Sequence, residues 1–307
     1  LAGTYGYAVA VTQSMNGCAT GYSSTANINV VADPVVSTPT GAAYCASATN
    51  ASALSVVATG GINNAYTYQW HVNGTNSNVG GIAISNATNS TYTPPTTFAG
   101  TSYYYCTVSQ GLGCASTSAT AAVQIVNGPA FSSQPLASQT VCQGSSISAL
   151  SFNYIGGYGL PTYQWFANTA NSNFNGTPIA GANTPVYNPN PNATGTNYYY
   201  CVVSFSNLYG CNALTTNPSA VSIIANPTFS TSPLASQTLC LGTSPQTLSA
   251  TTSGGYGTAT YQWYTVANGN YTPIIVANSL NYAPSANNPV GTYNYAVSMS
   301  QTSSGCY

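Results

Sequence analysis

Tyr163-Gln164-Trp165 recurs as Tyr68-Gln69-Trp70 and as Tyr261-Gln262-Trp263. The chain has no other tryptophan, and positions 70, 165 and 263 stand 95 and 98 residues apart. A fixed spacing of this size marks an internal repeat, and a repeat governs how everything else is read. Three further markers keep the same register. A Gly-Thr pair begins at Gly3, Gly100, Gly195 and Gly291; a Gly-Cys pair ends at Cys18, Cys114, Cys211 and Cys306; an early cysteine stands at Cys45, Cys142 and Cys240.

The markers divide the 307 residues into four segments. Residues 1–33 read as the C-terminal part of a repeat, 34–127 and 128–226 as full repeats, and 227–307 as a repeat lacking its last strand. The segment is therefore expected to be a window from a longer array. The third segment gives the strand reading, because its β-branched and aromatic residues alternate in short runs between turn residues. Ser138–Val141 is read as strand A′, Ile147–Tyr154 as B, Thr162–Ala167 as C, Pro185–Tyr187 as E, Tyr198–Ser204 as F and Ser219–Ala225 as G. Asn175-Gly176, compared with Asn73-Gly74 and Asn268-Gly269, predicts a hairpin turn built on two left-handed residues. No segment has helical periodicity.

About seven short strands in about 96 residues, with a tryptophan on strand C, predict an all-β chain of tandem immunoglobulin-like β-sandwiches. Tyr104-Tyr105-Cys106 and Tyr199-Tyr200-Cys201 fit the Tyr-x-Cys of strand F in that fold. Trp70, Trp165 and Trp263 are the expected core anchors. The order Cys142-Gln143-Gly144, Tyr-Gln-Trp, Gly3-Thr4-Tyr5 and Gly-Cys resembles the tandem Ig-like repeats of giant secreted surface proteins and adhesins of gliding, Bacteroidota-type bacteria. That resemblance implies a location at the cell surface or on an appendage.

Composition excludes much chemistry. There is no Lys, Arg or Glu, one Asp (Asp33) and one His (His71). Basic patches for nucleic acid or anionic lipid are impossible, and no run approaches the ~20 apolar residues of a membrane span. Asp33 precedes Pro34, a turn position, and His71 stands on strand C where the other copies carry Phe166 and Tyr264. Neither reads as a catalytic group, so no enzymatic activity, metal or cofactor is expected.

Nine cysteines in a Ser/Thr/Asn/Gly-rich chain point to an oxidising, extracellular setting. Strand B carries Phe152 where an Ig cysteine would stand, so the usual B–F disulfide is absent. Cys106 and Cys201 align with Ala8 and Ala296 and are read as small buried free thiols. Cys18, Cys45, Cys114, Cys142, Cys211, Cys240 and Cys306 are the disulfide candidates. One scheme closes each repeat on itself, Cys45–Cys114, Cys142–Cys211 and Cys240–Cys306. The other staples neighbours, Cys45–Cys211 and Cys142–Cys306. The first places its partners at opposite ends of a sandwich, and the second asks adjoining ends to touch; the sequence leaves both open.

Near-zero charge favours lateral association over dispersal, and very short linkers such as Ala225-Asn226-Pro227 limit hinge motion. The expected role is a stiff structural segment of an extracellular filament, hook or adhesin stalk whose partners are other copies of itself. The alternative is an adhesion module that holds surface glycans or another cell through Tyr and Asn. Tyr103–Tyr105 and Tyr198–Tyr200 are read as turning one ring inward and one or two outward.

Overall fold

The computed structural model describes residues 1–13, 19–63, 65–206 and 209–301. The chain divides into two compact units. One comprises Leu1–Ala130 with Gly156–Pro161 and Phe205–Asn212; the other comprises Phe131–Ile155, Thr162–Ser204 and Ala213–Tyr307.

In the first unit the larger sheet of the second repeat runs Ile82–Ala83, Thr67–Asn73, Gly100–Ser109, Ala121–Val126, Ala42–Cys45. Its last two strands are parallel, Val126 facing Cys45; the other pairs are antiparallel. The facing layer holds Leu54–Ser55 paired with Thr91–Tyr92, and Val35–Val36 paired with Ala58–Thr59. Residues of the first repeat form two antiparallel pairs, Gly3–Tyr7 with Ala26–Val30 and Ala10–Val11 with Gly21–Tyr22.

The second unit repeats the plan. Ser138–Cys142 lies parallel to Ser219–Ile224, followed by Gly195–Ser204, Thr162–Asn168 and Thr177–Pro178. In the fourth repeat Ala259–Ala267 lies between Asn270–Pro273 and Asn294–Gln301. These are tandem immunoglobulin-like sandwiches, with the inner faces of two layers meeting in the core.

The Tyr-Gln-Trp stretch holds each sandwich together by more than apolar burial. Trp70, Trp165 and Trp263 are fully buried. Each indole N–H donates to a backbone carbonyl beyond the hairpin: Asn89 at 3.0 Å, Thr184 at 2.9 Å and Ser279 at 2.8 Å. The tryptophan carbonyl accepts from the amide of Ile84, Ile179 or Ile274. The glutamine then bridges the two chains, its Nε2 donating to the tryptophan carbonyl and to the isoleucine carbonyl at 2.8–2.9 Å in every copy. Each of these carbonyls thus accepts two bonds, one from a backbone amide and one from the glutamine.

The next turn shows how one geometry admits different residues. Ala87, Ala182 and Ala277 donate back to Ile84, Ile179 and Ile274, each at 3.2 Å. The third turn residue is left-handed: Asn86 at φ 62°, Gly181 at 75° and Val276 at 59°. Asn and Gly accept that region; a β-branched valine is strained there.

Several sequence readings are corrected. Strand B of the third repeat is two short pieces, Leu150–Ser151 and Asn153–Ile155, broken at Phe152. Phe152 itself is buried against Trp165, with ring centroids 5.9 Å apart. The break lets the chain pair with Val186–Tyr187 and then with Ala130–Ser133. Asn-Gly has no single role. Asn268 and Gly269 are both left-handed and close a two-residue hairpin. At Asn175-Gly176 only Asn175 is left-handed, and Asn73 is the last residue of its strand.

Ala296 is also not the counterpart of Cys106 and Cys201. Trp70 faces Cys106, Trp165 faces Cys201, and Trp263 faces Val297. The misalignment has a local cause. In repeats two and three the Gly-Thr stretch pairs with strand G from Gly100 and Gly195 onward. In repeat four the strand begins only at Asn294, and the residue facing tryptophan stands nine positions before the Gly-Cys cysteine, against ten from Cys201 to Cys211, so counting back ten lands on Ala296.

Candidate functional site

The cysteines single out one place in the first unit. Cys45 and Cys211 form a disulfide with S–S 1.99 Å and Cα–Cα 5.0 Å, inside the range a disulfide accepts. This bond corrects the within-repeat scheme: Cys45 cannot pair with Cys114, nor Cys211 with Cys142. The strand register gives the reason. Cys45 lies beside Val126, and the neighbouring Ile125 faces Gly100 at the start of the ten-residue strand Gly100–Ser109. Cys114 follows the far end of that strand, roughly 30 Å away at about 3.3 Å per residue.

Cys142 is disulfide-bonded as well. Cys114 and Cys240 carry free thiols, half-buried and exposed respectively, so neither makes the bond expected of it. Cys18 and Cys306 lie outside the described residues, and the readings that involve them go no further.

Glycines shape the approach to the staple. A Cβ on Gly210 would lie 2.4 Å from Ala48 Cβ and 2.6 Å from Asn50 Oδ1, and Gly210 is left-handed at φ 63°. The Gly of the Gly-Cys pair thus lets the loop reach the turn after Cys45. Gly156 and Gly157, at φ 74° and 79°, bring the next turn onto the connecting segment. The Gly157 amide donates to Asn127 at 2.9 Å, and a Cβ on Gly156 would meet the Gly128 carbonyl at 2.4 Å. Tyr158 follows, its amide 3.3 Å from Cys211 Sγ and its ring edge-on to Tyr209 at 4.8 Å. These two rings, Gly41, Tyr44, Ala122 and Gln124 line an open cleft of about 470 Å³ beside the disulfide.

Comparison with known proteins assigns no activity. Residues 133–225 match a family described as "Domain of unknown function (DUF8696)", and no curated protein matches the chain. Among solved structures, the titin I-band fragment I67–I69 is 13% identical, with 78% of this chain and 81% of that chain covered, at a TM-score of 0.47. Sidekick-1 immunoglobulin domains 1–5 are 16% identical over 85% of this chain and 54% of that one, at 0.40. The three N-terminal domains of the Highly Immunogenic Outer Capsid protein of bacteriophage RB49 are 16% identical over 80% and 81%, at 0.38.

Cys106 and Cys201 are fully buried free thiols. Burial pushes the Cys106 thiol up to about 11 and the Cys201 thiol up to about 12, because a thiolate cannot be solvated there. They pack as small apolar groups opposite tryptophan and are chemically quiet.

The tyrosines turn out differently from the sequence reading. Tyr104 and Tyr199 face the core, where desolvation raises both hydroxyl pKa values. Tyr105 and Tyr200 point to the other face and are buried too. The hairpin after strand C covers them. Gly81 and Gly176 donate their amides to the two hydroxyls at 2.9 Å, and a Cβ on either glycine would lie 2.8 Å from the ring. His71 and Phe166 stack on Tyr105 and Tyr200 at 4.8 and 5.0 Å. Repeat four carries Ala296 at this position and covers the sheet with Tyr271, edge-on to Tyr264 at 6.1 Å. Only Tyr103 and Tyr198 of the two triplets remain half-exposed.

The two groups considered for acid–base work are not joined. His71 Nε2 lies 3.4 Å from Thr107 Oγ1, and its Nδ1 is buried with no hydrogen-bond partner in the structure. Asp33 is exposed beside the buried Pro34. Among the described residues no three His, Cys, Asp or Glu side chains gather as a metal set, and no helix is long and apolar enough to cross a membrane.

Proposed function

We propose that the chain is a load-bearing repeat segment of an extracellular filament, hook or adhesin stalk, assembling with other copies of itself. The Cys45–Cys211 bond carries this reading. It ties the second repeat to the loop leaving strand F of the third, across 166 residues of sequence. Tension applied at the chain ends passes through the sulfurs and bypasses the enclosed residues, including two of the three tryptophan cores. The resemblance of the marker motifs to surface repeats of gliding bacteria, the near-absence of charge and the cystine chemistry support the same setting.

Single-molecule extension tests it. Enclosing 166 residues withholds on the order of 550 Å of contour at roughly 3.3–3.6 Å per residue. The oxidised chain should extend short of the reduced chain by at least that length, since reduction also opens the bond at Cys142. Equal contour lengths before and after dithiothreitol would refute a load path through the staple.

The cleft beside Tyr158 and Tyr209 favours one second reading, an adhesion module for neutral glycans. Paired rings with one amide, Gln124, and no charge suit a sugar face. Glycan-array binding abolished by Tyr209→Ala would favour it over a purely structural role.

A further inference from the structure

Asparagine is followed by glycine five times, at Asn16, Asn73, Asn127, Asn175 and Asn268. Glycine has no side chain to shield its amide nitrogen, so that nitrogen can attack the carboxamide carbon of the asparagine before it. Asn16 lies outside the described residues. The other four pairs meet different surroundings.

Asn73 is tied down by its side chain. Its Nδ2 donates to the Ser77 carbonyl at 3.0 Å and the Val79 carbonyl at 3.2 Å, and its Oδ1 accepts from the amide and the hydroxyl of Thr75, each at 3.2 Å. Turning that carboxamide onto Gly74 breaks all of these bonds. Asn175 is exposed, but the nitrogen beside it is engaged: the Gly176 amide donates to the Tyr200 hydroxyl at 2.9 Å. Asn127 and Gly128 are held through their carbonyls. Gly157 donates to the first at 2.9 Å, and a Cβ on Gly156 would lie 2.4 Å from the second.

Asn268 has none of these restraints. Asn268 and Gly269 are exposed and form the two-residue loop between Ala259–Ala267 and Asn270–Pro273, at φ 50° and 80°. Among the described residues neither the Asn268 side chain nor the Gly269 amide has a hydrogen-bond partner. The space is open as well, since a Cβ on Gly269 would meet nothing within 4 Å.

We propose that Asn268-Gly269 is a spontaneous modification site, where the chain exchanges a neutral amide for a carboxylate with water as the only co-reactant. The Gly269 nitrogen gives its proton to solvent base and bonds to Asn268 Cγ. The Cγ–Nδ2 bond breaks, and Nδ2 takes up a proton and leaves as ammonia, closing a succinimide. Water then opens the ring at either carbonyl. One opening yields aspartate; the other yields isoaspartate, whose main chain runs through the side-chain carbon. No electrons change hands.

Both products alter the hairpin. The formal net charge of the chain goes from −1 to −2, beside a strand whose four residues are all exposed, and like charge on every copy opposes lateral contact there. Isoaspartate also adds a backbone atom to a loop that two residues close, which disturbs the register of Asn270–Pro273 on Ala259–Ala267.

The test incubates the whole chain in mildly alkaline buffer and follows each Asn-Gly pair by mass spectrometry of peptic fragments, with an isoaspartate-specific methyltransferase to count the second product. Asn268 should convert at least about tenfold faster than Asn73 or Asn175, where cyclisation must first break hydrogen bonds. Asn268→Gly, which suits the same turn, should abolish conversion there and leave the other pairs unchanged. Tyr200→Phe frees the Gly176 amide and should speed conversion at Asn175 while Asn73 keeps its rate. An Asn268 that stays intact, or an Asn73 or Asn175 that converts as fast, overturns the proposal. An Asn175 rate unmoved by Tyr200→Phe overturns the protection on which the ordering rests.

Discussion

Gln164 offers the sharpest test of how this fold is held. Its Nε2 donates to the Trp165 carbonyl at 2.8 Å and the Ile179 carbonyl at 2.9 Å. Each carbonyl has a second donor, the amides of Ile179 and Ala182. Gln164→Met therefore removes two bonds without stranding an acceptor. At about 0.5–1.5 kcal/mol net per bond, the cost should be about 1–3 kcal/mol. Gln164→Glu has the same shape and sets a carboxyl against two acceptors. Protonated, it can donate to one carbonyl, so below pH ~4 it should cost about 1 kcal/mol. Ionised, it would face both carbonyls without a donor, so the folded pKa is raised above the unfolded value of about 4.3. The sign follows: the unfolded chain releases the proton first, so stability is full below pH ~4.3 and falls as pH rises, by about 1.4 kcal/mol per unit until the folded pKa is passed. With a folded pKa of about 7 or above, the total penalty at pH 7 should reach about 5 kcal/mol. Hydrogen exchange of peptides spanning 162–204, corrected for the intrinsic pH dependence, measures this repeat separately from the others. A Glu variant as stable as the Met variant at pH 7 would refute the clamp.

Three further outcomes are expected. Val276→Gly or Val276→Asn should stabilise the fourth repeat by about 1 kcal/mol, since Val276 is left-handed at φ 59° where repeats two and three carry Asn86 and Gly181; exchange of the peptide around Trp263 reads it. Gly176→Ala should destabilise the third repeat by about 1–3 kcal/mol, because its Cβ would sit 2.8 Å from the Tyr200 ring, whereas Tyr200→Phe loses only the hydroxyl bond, about 1 kcal/mol; urea titration of limited proteolysis distinguishes them. In the native chain at pH 8, iodoacetamide should label Cys240 and spare Cys106 and Cys201, whose buried thiols ionise only near 11 and 12; labelling of Cys201 at the rate of Cys240 would contradict its burial.

The period and the strand C tryptophans were legible because they depend on apolar residues that recur at fixed spacing. Pairing of cysteines was not, because it is decided by which ends of successive sandwiches approach, and no residue pattern within one repeat encodes that. Burial of Tyr105 and Tyr200 was hidden for a related reason. Alternation tells which face a ring takes, and it is silent on a hairpin that folds over that face and meets the hydroxyl with a glycine amide. Gln69, Gln164 and Gln262 could be seen as constant companions of tryptophan, yet their task is addressed to carbonyls 12 to 15 residues away. The Ala296 misreading came from counting back ten residues from the Gly-Cys cysteine, where repeat four has nine.

The Cys45–Cys211 bond makes a covalent ring of the chain between its two sulfurs. A linear polypeptide is severed by one hydrolysed peptide bond. In a ring, a single nick anywhere between Ala46 and Gly210 opens the circle and leaves both outer ends attached. Two cuts are needed to part them. Under proteolysis that is tolerance to damage, and it follows from topology alone, whatever the strength of the individual domains.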